Sequence, residues 1–173
     1  MKNEKMIILI QVLERGNDFI AFTSKGAELQ ETTVCHDEEN AHINEVIEEI
    51  FEHNFDFTIL PGWMIERLPP EYADLVINMR SMMEMSLSVI DYYFHHIHRI
   101  TKVNGLFACF NRYHKNSFGE DIIMKKYPYD EFWSIILSQS SIYQNHIHEL
   151  ILKREDKKNS FPVSERLKSL PPF

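Results

Sequence analysis

Imidazole and carboxylate side chains at helical spacing are the ligands that zinc and iron take. Glu84, Asp91, His95 and His98 fall at such spacing in a stretch with no Gly or Pro. On a helix they would share one stripe. A second set, His146, His148 and Glu149, lies nearer the end of the chain. Two antiparallel helices would bring the sets together, as in metal-binding bundles. The metal candidates are therefore Asp91, His95 and His98, holding zinc or iron with a hydrolytic water on the ion. The Glu-x-x-His of di-iron bundles is missing, since Tyr92 stands three before His95 and His95 three before His98. A solvated face that completes an amphipathic helix is the competing reading of the same stripe.

Other chemistries find less material. There is no Gly-x-Ser-x-Gly, and five glycines leave little for a phosphate loop. Arg112-Tyr113-His114-Lys115, with Lys102, offers a small basic site, or simply a surface turn. Its Arg and His stand too close together for a helical metal-free nuclease. Cys35 and Cys109 are far apart and in no metal or redox spacing, which fits a reducing compartment. No cofactor is expected beyond a divalent metal.

Charge is more informative. The net charge is −8, from 18 basic and 26 acidic residues. Residues 26–66 hold 11 carboxylates and no Lys or Arg, so the remainder is slightly positive. Phosphate contacts need Lys and Arg, so direct nucleic-acid binding is not expected. A basic protein partner is, because complementary charge speeds encounter and selects partners. The expected contact face is Glu45, Glu48, Glu49 and Glu52, with Trp63 beside it. These features predict a protein-binding module: a small acidic inhibitor or regulator, of the immunity-protein or antitoxin kind, acting on a basic partner such as a nuclease. A metal-dependent hydrolase and a homo-oligomeric structural or adaptor subunit are the alternatives, and the balance leans away from an enzyme. The opening MKNEKMIILIQVLERG has an apolar run too short for a signal peptide, and no later run could span a membrane. A cytoplasmic protein is expected.

The elements that would position these residues predict an α+β fold in a single domain, 1–173. Residues 1–54 read as a three-stranded antiparallel meander followed by an amphipathic helix over 37–54. Residues 55–70 read as an apolar connecting loop. Residues 71–153 read as a mostly helical part around one long central helix, 72–101, with a final helix over 130–153. The stretch 105–115 is open between helix and strand. A charged linker and a tail, 154–173, complete the chain, the tail either docking on the body or serving as a binding peptide.

Overall fold

The computed structural model describes residues 6–9, 20–25, 28–33, 57–59, 62–117 and 119–170, with side chains from Met64 onward. In chain order the strands are β1 (Met6–Leu9), β2 (Ile20–Lys25), β3 (Glu28–Thr33), β4 (Phe57–Ile59), β5 (Ala73–Met79), β6 (Thr101–Arg112), β7 (His114–Ser117), β8 (Glu120–Ile123), β9 (Trp133–Ser140) and β10 (Ile147–Arg154). The described helices are α1 (Leu87–Ile100) and the short α2 (Val163–Arg166), with single 3-10 turns between strands. The chain forms two units, one of residues 1–10 and 68–173, the other of residues 11–67.

The larger unit is built on a five-stranded sheet in the order β1-β5-β6-β10-β9. β1, β5 and β6 run parallel, β10 runs antiparallel to β6, and β9 antiparallel to β10. Parallel neighbours need a crossover, and α1 lies between β5 and β6 in the chain. The central helix over 72–101 is therefore corrected. Its first part, ADLVINM, is β5, and a strand buried in a parallel sheet shows the same unbroken apolar run as a buried helix. The strand ends at Met79, and Arg80 takes the left-handed conformation, φ 62°. A 3-10 turn, Met82–Glu84, follows, and Ser86, extended at φ −70° and ψ 162°, opens α1. Only Leu87–Ile100 is helical. Ile90, Phe94 and Ile97 are buried, while Asp91, Tyr92 and His95 are exposed.

The final helix over 130–153 is likewise corrected, to the hairpin β9–β10. Its turn is closed by Ser141 N donating to Ile147 O at 2.9 Å and Ile147 N donating to Gln144 O at 2.8 Å. The mostly helical part is thus a mixed sheet with one substantial helix. The open stretch 105–115 is strand: it lies in β6 as far as Arg112 and enters β7 at His114. Asn104 (φ 67°) and Gly105 do not stop a helix; they form an irregularity where β6 slips register against β5. A Cβ at Gly105 would stand 2.9 Å from Lys102 O and 3.1 Å from Ala73 O, so two strands meet there at glycine distance.

In the smaller unit β2 and β3 form the expected hairpin, but the third strand of that sheet is β4, in the order β3-β2-β4. β1 pairs instead with β5, Met6 opposite Leu75. The amphipathic stretch 37–54, with Glu45, Glu48, Glu49 and Glu52, lies outside the described residues. So does the Trp63 side chain, whose backbone belongs to the 3-10 turn Gly62–Arg67.

The core of the larger unit fills the space between α1 and the sheet. Phe94 meets Phe107, Tyr127 and Tyr129 edge to face at 5.7, 5.7 and 5.2 Å. Such pairings add to the burial of the rings. Trp133, Leu150 and Leu152 complete the layer. The tail docks on the body, with Val163 and Leu167 buried and Lys125 Nζ donating to Leu170 O at 3.1 Å. No described helix is long and apolar enough to cross a membrane.

Candidate functional site

Open α/β sheets bind ligands at the carboxyl ends of their parallel strands, where loops leave the sheet. Here those ends carry buried polar side chains. Asn78, one residue before the end of β5, and Asn111, one before the end of β6, are both fully buried. Asn78 Oδ1 accepts from Asn111 Nδ2 at 2.9 Å and from the Met82 backbone N–H at 3.3 Å. Asn78 Nδ2 donates to Ser81 Oγ. One amide thus ties the turn after β5 to the neighbouring strand. The left-handed Arg80 sits in this turn, its N–H donating to Phe110 O at 2.8 Å and its Nη1 to Gln144 Oε1 at 3.4 Å. Asn111 Oδ1 is buried with no hydrogen-bond partner among the described residues. An orphan of that kind marks a place where a water or a ligand donor belongs.

A second cluster adjoins the first. His148 on β10 stands opposite Asn111 on one side and Ser140 on the other. Its ring is buried, and burial holds its pKa below the usual imidazole value against the opposing pull of Glu149. It is neutral at pH 7, with one nitrogen donating and one accepting. Nδ1 lies 3.2 Å from Tyr113 Oη, and Nε2 lies 2.9 Å from Ser138 Oγ. Tyr113 Oη lies 2.7 Å from Ser140 Oγ. Ser138 and Ser140 are exposed. The set is a wire of hydrogen bonds from solvent-facing hydroxyls to a buried base. With Nε2–H donating to Ser138, Nδ1 accepts from Tyr113, whose oxygen accepts from Ser140 when that hydroxyl turns from the Asn145 carbonyl, 3.5 Å away. The Ser140 oxygen is then free to receive a proton from outside.

Exposed side chains rim this edge. Met79 and Tyr143 are 59% and 94% exposed. Lys115 Nζ pairs with Glu84, and His114 Nε2 with Asp121 at 2.9 Å. The basic run 112–115 is therefore divided: Tyr113 points into the buried wire, while His114 and Lys115 each bond a carboxylate.

The metal candidates are not brought together with a third ligand. Asp91 and His95 lie on the exposed face of α1, and His98 turns to Asp130, 3.3 Å from its Oδ2. The other oxygen of Asp130 takes Arg154 Nη1 at 2.6 Å. Among the described residues no three His, Cys, Asp or Glu side chains are placed to hold a metal ion. Glu149 is bound by Gln139 at 2.9 Å, and His146 is exposed in the hairpin turn. Burial pushes the Cys109 thiol up to about 12, which leaves it unreactive. At the opposite edge of the sheet a crevice of about 250 Å³ opens between Pro70, His98, Arg99, Phe132 and Arg154.

Asn78, Ser81, Asn111 and Tyr113 form a set that the metal-centred reading of the sequence passes over. The available signal was an amide closing each of two apolar runs, DLVIN and LFACFN. A side chain so placed must find a buried partner or bind something.

No protein-family profile matches the chain, and no curated protein matches it. Among solved structures, one that it resembles is the crystal structure of a "putative type 11 methyltransferase" from Sulfolobus solfataricus, with 16% sequence identity, a TM-score of 0.40, and coverage of 70% of this chain and 69% of that one.

Proposed function

We propose that the chain binds a small hydroxyl-bearing molecule at the carboxyl edge of β5 and β6, and that His148 is the base that activates its hydroxyl. The observation that supports this reading is the wire from exposed Ser140 through Tyr113 to the buried neutral imidazole. A ligand hydroxyl donating to Ser140 Oγ would shift one proton along each link, leaving an imidazolium at His148 and a nucleophilic oxygen on the ligand. That is the first half of a group transfer. Arg80 and the orphan Asn111 Oδ1 supply a donor and an acceptor beside it. The test is thermal denaturation against monosaccharides, nucleosides and polyols at millimolar concentration. At a hundred times its Kd, a true ligand stabilises by about 2.7 kcal/mol, a rise of roughly 5–10 °C for a chain of this size. Arg80→Ala should reduce the rise. Wild-type protein that melts cooperatively but is shifted by none of these compounds overturns the reading.

The charge distribution favours a second reading, in which residues 26–66, with 11 carboxylates and no Lys or Arg, form a docking surface for a basic protein. In that case the chain is an acidic inhibitor or regulator. Glu48→Lys with Glu49→Lys should then weaken capture of a basic nuclease and flatten its salt dependence. Capture by the wild-type chain that is unchanged across a salt series rules this out.

A further inference from the structure

We infer that strand β9, which has no strand on its outer side among the described residues, pairs with the same strand of a second copy of this chain, making a two-fold dimer with one continuous sheet. β9 is the last strand in the order β1-β5-β6-β10-β9. An edge strand presents unpaired N–H and C=O groups, and monomeric proteins guard such edges with Lys, Pro, bulges, inward charges or a covering element. The first residues of β9 are guarded in that way. Asn159 Nδ2 donates to Trp133 O at 3.3 Å, Asn159 N donates to Glu131 O at 2.6 Å just before the strand, and α2 lies against this end. The remainder, Ile135 to Ser140, is IILSQS, with no charged residue, no Pro and no Gly. It bulges once, at Ile136, which is 59% exposed. Beyond the bulge Leu137, Ser138, Gln139 and Ser140 hold regular register with β10, so their outward backbone groups form a straight template. The apolar border continues into the hairpin turn, where Ile142 is 85% exposed.

A second copy is the occupant that these features fit. Antiparallel pairing of a strand with itself sets each residue against one of the same uncharged segment, so no like charges meet across the seam. Such an interface is self-complementary without any further surface. It forms against the repulsion of two chains of net charge −8. Screening by salt therefore tightens it, the opposite of the salt dependence of an acidic face on a basic partner. The inference stands apart from the ligand reading, since it uses the outward edge of β9 and not the wire within the sheet.

The experiment is sedimentation velocity of the full chain at about 1–100 µM in low and high salt. A dimer that strengthens with salt is expected, and Ile136→Lys with Ile142→Lys should return it to monomer by placing two cations from each chain at the seam. A wild-type monomer throughout overturns the proposal, as does a dimer that the doubly substituted chain keeps. Hydrogen exchange on the wild-type protein gives an answer even if that chain fails to fold. The amides of Leu137 to Ser140 should gain protection as concentration rises; protection independent of concentration also overturns it.

Discussion

Asn78→Leu is expected to destabilise the larger unit by about 3 kcal/mol, lowering the melting temperature by roughly 6–12 °C. The two side chains have the same branching and number of heavy atoms, and Leu is the bulkier, so none of this comes from a cavity. The loss arises because one amide serves three partners: the Met82 N–H, the Asn111 amide and the Ser81 hydroxyl. Each buried group left without a partner costs about 1–3 kcal/mol. The Asn111 amide keeps Cys109 Sγ at 3.2 Å and the Ser81 hydroxyl can rotate, so the total falls short of three full penalties. Without Asn78 the turn over 80–85 loses its anchor, and Arg80 loses the frame that holds it left-handed. Any ligand bound at this edge should weaken in parallel. The measurement is urea unfolding of both proteins. A loss below about 1 kcal/mol would show that the turn is held by something other than this amide.

Acid should weaken the fold through His98. Burial lowers its pKa to about 4, against 6.5 for the free side chain, with Arg154 and His95 adding to the effect and Asp130 opposing it. Between those values the unfolded chain takes up a proton that the folded chain refuses. Stability therefore falls as pH drops from about 6.5 to about 4, and this group contributes no further loss below that. The full difference corresponds to about 3 kcal/mol, and the partial exposure of the ring, 18%, trims it toward 2. His148 titrates with the same sign, so the test is a difference. Urea unfolding from pH 7 to pH 4 should show the wild-type chain losing about 2–3 kcal/mol more than His98→Gln. Parallel curves would mean that the imidazole is hydrated in the folded protein.

The hairpin β2–β3 was legible because Lys25-Gly26 punctuates two short runs, and turn chemistry is local. The span 72–101 was misread for a physical reason. Val76, Met82 and Met83 are buried by different means, one in a sheet and two in a turn, and an unbroken apolar run carries no period to separate strand from helix. Ser81 and Ser86 were the available punctuation. Ser86 does precede α1, although its side chain makes no capping bond. The pairing of β1 with β5 had no sequence signal, since nothing near Met6 names Leu75 as its neighbour. For the site, the titratable residues were visible, but their roles depended on which strand faces which. His148 gained its place from Tyr113 and Ser138, 35 and 10 positions away. His98, read as a ligand, found Asp130 because α1 ends where β9 begins to form.

The parallel pairing of Met6 with Leu75 also shapes how the chain reaches this state. Every other pairing in the five-stranded sheet joins strands closer in sequence, the β9–β10 hairpin most of all. β1 must close a loop of nearly seventy residues, at an entropic cost of about 4 kcal/mol beyond the constant term. Pairings so distant form after local ones. The sheet thus grows from its carboxyl-terminal strands, and the amino-terminal strand joins last. A newly made chain already holds β1 long before its neighbour β5 has left the ribosome, so β1 waits for that partner. Halving the intervening stretch would save only about 0.6 kcal/mol, so the length of residues 11–67 is nearly free to vary where folding is concerned.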